Sequence, residues 1–438
     1  AYLVLQPIKN LKFRSSFGVR YLQNNYRKFA PVYNLSSDNF RNENEVQQQM
    51  TTRMNWMIEN TINYTFSAGR NNFDILLGQS VENNGLGMSL NGSNKNSLFN
   101  DFEHAYLDNT KVILAGSTTL GGAPITPHKM ASFFGRVNYD YNEKYMLTFV
   151  MRADGSSNFK RGKRWGYFPS VSAGWVLTNE SFMEGITSFM DFFKLRASWG
   201  QNGNQSIDGF QYLSTIDFNA RYFFGTDKGA ITTGAYPDIL ANEDVTWETS
   251  EQINVGIDAR FLNDRLTFSL DYFDKKTKDL LVNGTTPSLI VGGKTSPMNA
   301  GNVSNKGWEI ELGWRDHIGD FQYSVRGNLA TLKNEVTYLD PSLTRLSGVN
   351  FHTNTITFFE EGYPVYYFRG YKFKGVDPET GDPIFHDLDN SGNLNDGDLD
   401  YIGDAIPDFT YGLTLTAAWK GFDLTVFATG SHGNDIFN

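Results

Sequence analysis

From residue 250 to 261 every second side chain is apolar. Ile253, Val255, Ile257, Ala259 and Phe261 fall on one side of an extended chain, and Gln252, Asn254, Gly256, Asp258 and Arg260 on the other. Successive side chains of a strand point to opposite faces, so this is a strand with one greasy and one wet face. The code recurs. Trp308, Ile310, Leu312 and Trp314 oppose Glu309 and Glu311, and Leu266, Phe268, Leu270 and Tyr272 oppose Thr267, Ser269 and Asp271. Tyr411, Leu413, Leu415, Ala417 and Trp419 oppose Thr410, Gly412, Thr414 and Thr416. A water-soluble sandwich buries one face of each sheet in its own core. Here the apolar faces are too many and too aromatic, and the opposite faces too charged, for that to be the simplest solution. A closed wall with hydrocarbon outside and water inside uses both faces, and its closure satisfies all backbone groups between strands.

Between these stretches the chain turns sharply. Short turns fall at Lys9 and Asn10, at 68–71, at Asn142 and Glu143, at Asn263 and Asp264, at 317–320, and at Lys420 and Gly421. A seventh, 179–191, is longer and predicts a helical turn over 181–186. Long polar connections alternate with them, at 23–52, 84–129, 203–245, 281–305 and 335–407, with a shorter one near 155–165. Outer-membrane barrels have this asymmetry, with short periplasmic turns and long extracellular loops. Five loops of such length are uncommon in a soluble domain unless they work. The pattern predicts an all-β transmembrane antiparallel β-barrel of about fourteen strands, each near ten residues, the reach a tilted strand needs to cross a bilayer.

Composition removes other classes. No apolar run is long enough for a transmembrane helix, whereas alternation dilutes the hydropathy of a barrel strand, so a mean hydropathy of −0.41 decides nothing. Zero cysteines exclude disulfides, thiolate metal sites and cysteine nucleophiles. A net charge of −10 argues against nucleic acid, whose phosphates need basic patches. No signal-peptide pattern precedes Ala1, and the strand code stops short at the other end; the chain is read as a piece of a longer protein. A soluble jelly roll or propeller also alternates, but no blade-length repeat is present, and Lys194, Arg196, Glu309 and Glu311 suit a water-filled bore.

Several longer motifs then stand out. They include Arg152-Ala-Asp-Gly-Ser-Ser-Asn-Phe159, Arg164-Trp-Gly-Tyr-Phe-Pro-Ser-Val-Ser-Ala-Gly-Trp175 with Glu180-Ser-Phe182, and Lys194-Leu-Arg-Ala-Ser-Trp-Gly-Gln-Asn-Gly-Asn-Gln205. Trp247-Glu-Thr-Ser-Glu-Gln-Ile-Asn-Val-Gly-Ile-Asp258, Asn302-Val-Ser-Asn-Lys-Gly-Trp-Glu309, Pro407-Asp-Phe-Thr-Tyr-Gly412 and Lys420-Gly-Phe-Asp423 follow in order. Together they closely resemble the SusC/RagA family of TonB-dependent outer-membrane transporters of Bacteroidetes. The resemblance implies membership of a 22-stranded barrel that places the chain in the outer membrane, in contact with lipid. It implies a SusD-like lid lipoprotein on the extracellular face, energy supplied through TonB, and paired transporter–lid units. It also implies a plug, an N-terminal extension and final strands that lie outside residues 1–438, all of which form one part of the barrel domain.

The sharpest chemical motif runs from Asp387 to Asp398. Asp387, Asp389, Ser391, Asn393, Asn395 and Asp398 occupy loop positions 1, 3, 5, 7, 9 and 12, with Gly392 at 6. This is EF-hand spacing, in which glycine permits the sharp turn and oxygens converge on Ca²⁺. Asp at position 12 and Ser at position 5 predict weaker binding than a Glu-closed loop. The plainer reading is an acidic surface turn. Aromatics gather in the long connections, at Tyr222, Phe223 and Phe224 and at Tyr366, Tyr367, Phe368 and Tyr371, where flat rings could hold sugar faces or peptide side chains. Packing against a plug or lid is the alternative. Arg152 and Asp154, at the outer end of a strand, could contact cargo or form an ion pair within the wall.

Six scattered histidines, with no HExxH pair, no GxSxG elbow and no phosphate loop, point away from catalysis. The reading is TonB-dependent import of oligosaccharides, or else oligopeptides, through the bore and beneath a lid. A non-transporting surface binding protein or adhesin is the alternative, and a soluble β-sandwich lectin a third.

Overall fold

The computed structural model describes residues 1–437 apart from 111–116, 187, 224–230, 284–293 and 353; for 219–223, 231–233, 283, 294 and 295 it describes the backbone alone. Among the described residues the only helical pieces are 3-10 turns of three residues, such as Leu177–Asn179 and Ser181–Met183. The second of these lies where a helical turn was predicted. Everything else is strand or connection.

One antiparallel sheet runs through the chain, with strands neighbouring in sequence order. Its path is β1 (Tyr2–Ile8), β2 (Leu11–Ala30), β3 (Glu45–Ala68), β4 (Asn71–Lys95), β5 (His128–Tyr141), β6 (Tyr145–Ser156) and β7 (Trp165–Val176). It continues through β8 (Met190–Asn204), β9 (Glu248–Phe261), β10 (Leu266–Asn283), β11 (Pro297–Ile318), β12 (Phe321–Thr331), β13 (Phe409–Trp419) and β14 (Phe422–His432). Contacts divide the chain into two units. The first is 1–64 with 76–134 and 154–158, and the second is 65–75 with 135–153 and 159–438. In the first, β2 and β3 pair from Leu11↔Tyr64 to Ala30↔Glu45. In the second, β7 to β14 pair in succession.

The register carries the sequence code across the sheet. Ile257 lies opposite Leu270, which lies opposite Ile310, so apolar residues line one face. Asp258 lies opposite Ser269, which lies opposite Glu311, on the other. In a soluble sandwich the apolar face would pack on a second sheet. Instead Val255 is 51% exposed, Trp308 49% and Leu312 51%. A continuous apolar face left open in this way is what a wall turned toward hydrocarbon requires.

Strands β12, β13 and β14 are 11 residues long, as a bilayer crossing demands, but β3, β4 and β11 reach 24, 25 and 22. This corrects the expectation of polar loops at 23–52, 84–129 and 281–305, much of which is strand. Above the bilayer nothing limits strand length, and a hairpin that keeps pairing satisfies backbone groups that a loop leaves to water. The 203–245 connection likewise holds a hairpin, Thr215–Phe223 with Ile231–Leu240.

Candidate functional site

The 335–407 connection is a small folded head whose core is completed by β11. Lys333–Leu339 pairs with β11, setting Val336 opposite Val303 and Leu339 opposite Gly301. These side chains meet Ala300, Leu343, Leu346 and Phe359 in a buried cluster. Above it, Leu346–Ser347, Thr357–Phe359, Tyr367–Tyr371 and Leu399–Gly403 form a separate sheet of four strands. Tyr363 stacks on Tyr367 at 4.5 Å, and Tyr401 stands 5.8 Å from Tyr367.

That packing sorts the predicted aromatics. Tyr367 is 2% exposed and donates its hydroxyl hydrogen bond to Glu360 at 2.7 Å, so it is a core residue and corrects the expectation of a cargo contact. Burial, then the Glu360 carboxylate, raises its pKa. Pairing with Thr357–Phe359 turns its ring inward. Tyr366, its neighbour, faces the other way and is 48% exposed. Tyr371 is half-buried against Phe385 at 5.8 Å. Tyr222 sits on the Thr215–Phe223 strand with its side chain undescribed, and Phe224 lies outside the described residues. Asp154 is 6% exposed and Arg152 half-buried, and both are engaged by partners.

Beside Tyr366 opens a cavity of about 890 Å³. Its polar side comes from the wet face of the wall, through Ser250, Lys275, Thr277 and Asn305. Its apolar side comes from Leu280, Leu281 and Val282 at the end of β10, from Leu346 and Val365 of the head, and from Ile406 in the bend that leads into β13. Glu248, buried at the rim, accepts hydrogen bonds from the Asn204 amide at 3.1 Å and the Leu281 backbone N–H at 3.2 Å. Sequence reading missed these residues. The signal was there: Val336, Leu339, Leu343 and Leu346 are too apolar for a solvated loop.

Deeper on the wet face, Arg196 bridges two carboxylates. Its guanidinium donates to Asp258 at 3.0 and 3.2 Å, to Asp271 at 2.6 and 2.5 Å, and to the Ser269 hydroxyl at 3.2 Å. The planar fork suits two carboxylates at once.

In the acidic loop, carboxylate oxygens of Asp387, Asp389 and Asp398 lie within 4.8 Å of one another. The Asn395 side-chain N–H₂ donates to Asp389 at 3.0 Å, to Ser391 Oγ at 2.9 Å and to the Asn393 carbonyl at 3.1 Å, so loop positions 3, 5 and 7 converge on one point. Asp398 is fully buried and accepts backbone N–H groups of Leu388 at 2.7 Å and Asn395 at 2.9 Å. Hydrogen bonds from the Asn395 amide, then from Ser391, lower the Asp389 pKa to about 2. Every donor is a hard oxygen, or an amide that offers one when rotated, and that set fits Ca²⁺.

A family model described as TonB dependent receptor-like, beta-barrel matches residues 5–432. TonB-dependent receptor P3 of Formosa agariphila is 30% identical over all of this chain and 44% of its own length. TonB-dependent receptor SusC of Bacteroides thetaiotaomicron is 28% identical over 98% of this chain and 42% of its own. The chain spans less than half the length of these curated relatives. Among solved structures, that of the RagAB peptide transporter superposes with a TM-score of 0.83 at 23% identity, covering 99% of this chain and 46% of that one.

Proposed function

Because this chain belongs to the TonB-dependent receptor-like β-barrel family and is part of an outer-membrane barrel, we propose that the whole protein imports an oligomeric nutrient across the outer membrane with energy delivered through TonB. The carrying observation is the folded head walling a cavity that opens onto the wet face. A nutrient captured there would already stand at the bore. Oligosaccharides and oligopeptides are the two cargo classes of such size. A SusD-like lipoprotein as the lid, and a pair of transporter–lid units, complete the proposal. The SusC name of one relative supports it. Likeness to the RagAB structure speaks for the fold.

The acidic loop is proposed to hold Ca²⁺ through Asp387, Asp389, Ser391, Asn393, Asn395 and Asp398. The ion would stiffen the segment between the Tyr367–Tyr371 and Leu399–Gly403 strands. It has no part in catalysis.

The experiment is deletion of the TonB-contacting segment of the full-length gene product. Uptake of labelled cargo should stop while surface binding persists. Uptake that continues unchanged would favour a passive pore, and a wild type that binds but never takes up would favour an adhesin.

A further inference from the structure

The cavity beside Tyr366 discriminates between the two cargo classes. Two of its features bear on ligand chemistry. The first is the charge balance. The Glu248 carboxylate is committed to Asn204 and the Leu281 N–H, whereas Lys275, exposed on the opposite strand, makes no ion pair among the described residues. Neighbouring lysines on the other face are paired, Lys278 with Glu251 at 2.6 Å and Lys306 with Asp274 at 3.7 Å. Glu248 keeps its negative charge, but both its oxygens are engaged, so the Lys275 ammonium is the charged lining group whose donors are left for a ligand, and it asks for an anion.

The second is the wall. Leu281, Val282, Leu346, Val365 and Ile406 are branched aliphatics, and Phe359, which also lines the cavity, is only 2% exposed and leaves little ring surface open. Tyr366 alone presents an accessible ring. A sugar stacks on flat rings and needs polar partners for hydroxyls on every side; here one ring is accessible, and hydroxyls turned toward the aliphatic side would lose water and gain nothing. An apolar side chain gains by the same transfer. A volume of about 890 Å³ is within the range of small-molecule sites.

We propose that this cavity seats the C-terminal end of an oligopeptide, with an apolar side chain against Val282, Leu346 and Val365 and the terminal carboxylate on Lys275. This deepens the import reading and rests on it for its biological sense, though the binding itself stands alone.

The test uses the full-length protein in detergent and calorimetric titration of an N-acetylated apolar pentapeptide with a free C-terminus, its C-terminal amide, maltopentaose and an oligouronate. The free acid should bind about tenfold more tightly than the amide, as the loss of one charge-assisted contact implies. In Lys275→Ala the two peptides should bind equally and weakly. Lys275 is exposed, so the variant keeps the fold, and Lys275→Arg should restore part of the preference. An equal affinity of acid and amide for the wild type, an acid-to-amide ratio unchanged in Lys275→Ala, or saturable binding of either glycan in place of the peptides would overturn the proposal. Uptake is scored separately in cells with and without TonB. Peptide binding without TonB-dependent uptake removes the import reading and leaves the cavity assignment. TonB-dependent uptake of glycan alone does the reverse.

Discussion

At Gly256 a Cβ would stand 2.4 Å from Asp271 Oδ1 and 2.8 Å from Arg196 Cζ. The glycine is there because its neighbours across two strands form the Arg196–Asp258–Asp271 bridge, and a methyl group would wedge it apart. Gly256→Ala should cost about 1–3 kcal/mol, the range for overpacking. Denaturant unfolding from lipid vesicles would show it, and an unchanged midpoint would mean the bridge is loose. At the periplasmic turn Glu180 accepts from the Tyr145 hydroxyl, from Lys144 at 2.9 Å and from Trp175 Nε1 at 3.1 Å. These contacts, Tyr145 first, lower its pKa to about 2. A depressed carboxyl pKa adds stability that is complete above the ordinary value of 4.5 and fades as pH falls toward 2. The unfolding midpoint should drop through that window in the wild type, and Glu180→Gln should flatten this part of the profile.

Among the elements, the head packs a small core onto β11, which contributes Ala300 and Val303 to it. Phe359 is its largest fully buried side chain. Phe359→Ala should destabilise the head by about 3–5 kcal/mol. Limited proteolysis would then cut between 340 and 400 while the wall strands keep their hydrogen-exchange protection. Loss of protection in β12 and β13 as well would show that head and wall fold as one. The acidic loop is testable in the same way. With Ca²⁺ the 387–398 segment should resist protease, and a chelator or Asp389→Asn should expose it. Protection indifferent to Ca²⁺ would leave an acidic turn held by its own hydrogen bonds. The Arg27 guanidinium, sandwiched over Phe102 at 4.5 Å and Tyr106 at 4.2 Å, ties another long connection to its hairpin.

For the molecule as a whole, the assignment of faces is the decisive matter. Leu312 and Glu311 are neighbours on β11 and point to opposite sides of the wall. Leu312→Arg should cost about 2–4 kcal/mol in a bilayer, the figure for a cation at mid-depth on a lipid face. Glu311→Arg, on the wet face, should be nearly neutral for stability, though it loses the partner of Arg326 at 3.6 Å. Refolding into vesicles distinguishes them. Equal costs would mean that both faces are wet or both dry.

Period-2 alternation is a local property, so Ile253, Val255 and Ile257 announced their face, their strand and the outer-membrane wall without any structure. The turns at Asn142 and Glu143 and at Lys420 and Gly421 were equally local, since a two-residue hairpin needs the positive φ that all four adopt. Residues brought together across the head were not legible. Tyr366 and Tyr367 look alike in a string, and only the pairing of Tyr367–Tyr371 with Thr357–Phe359 buries one ring and leaves its neighbour at a cavity mouth. Lys275 gains its meaning from Leu346 and Val365, 71 and 90 residues further along the chain. Faces follow from neighbours in sequence, whereas cavities follow from long-range packing, which decides which side chains lose their water.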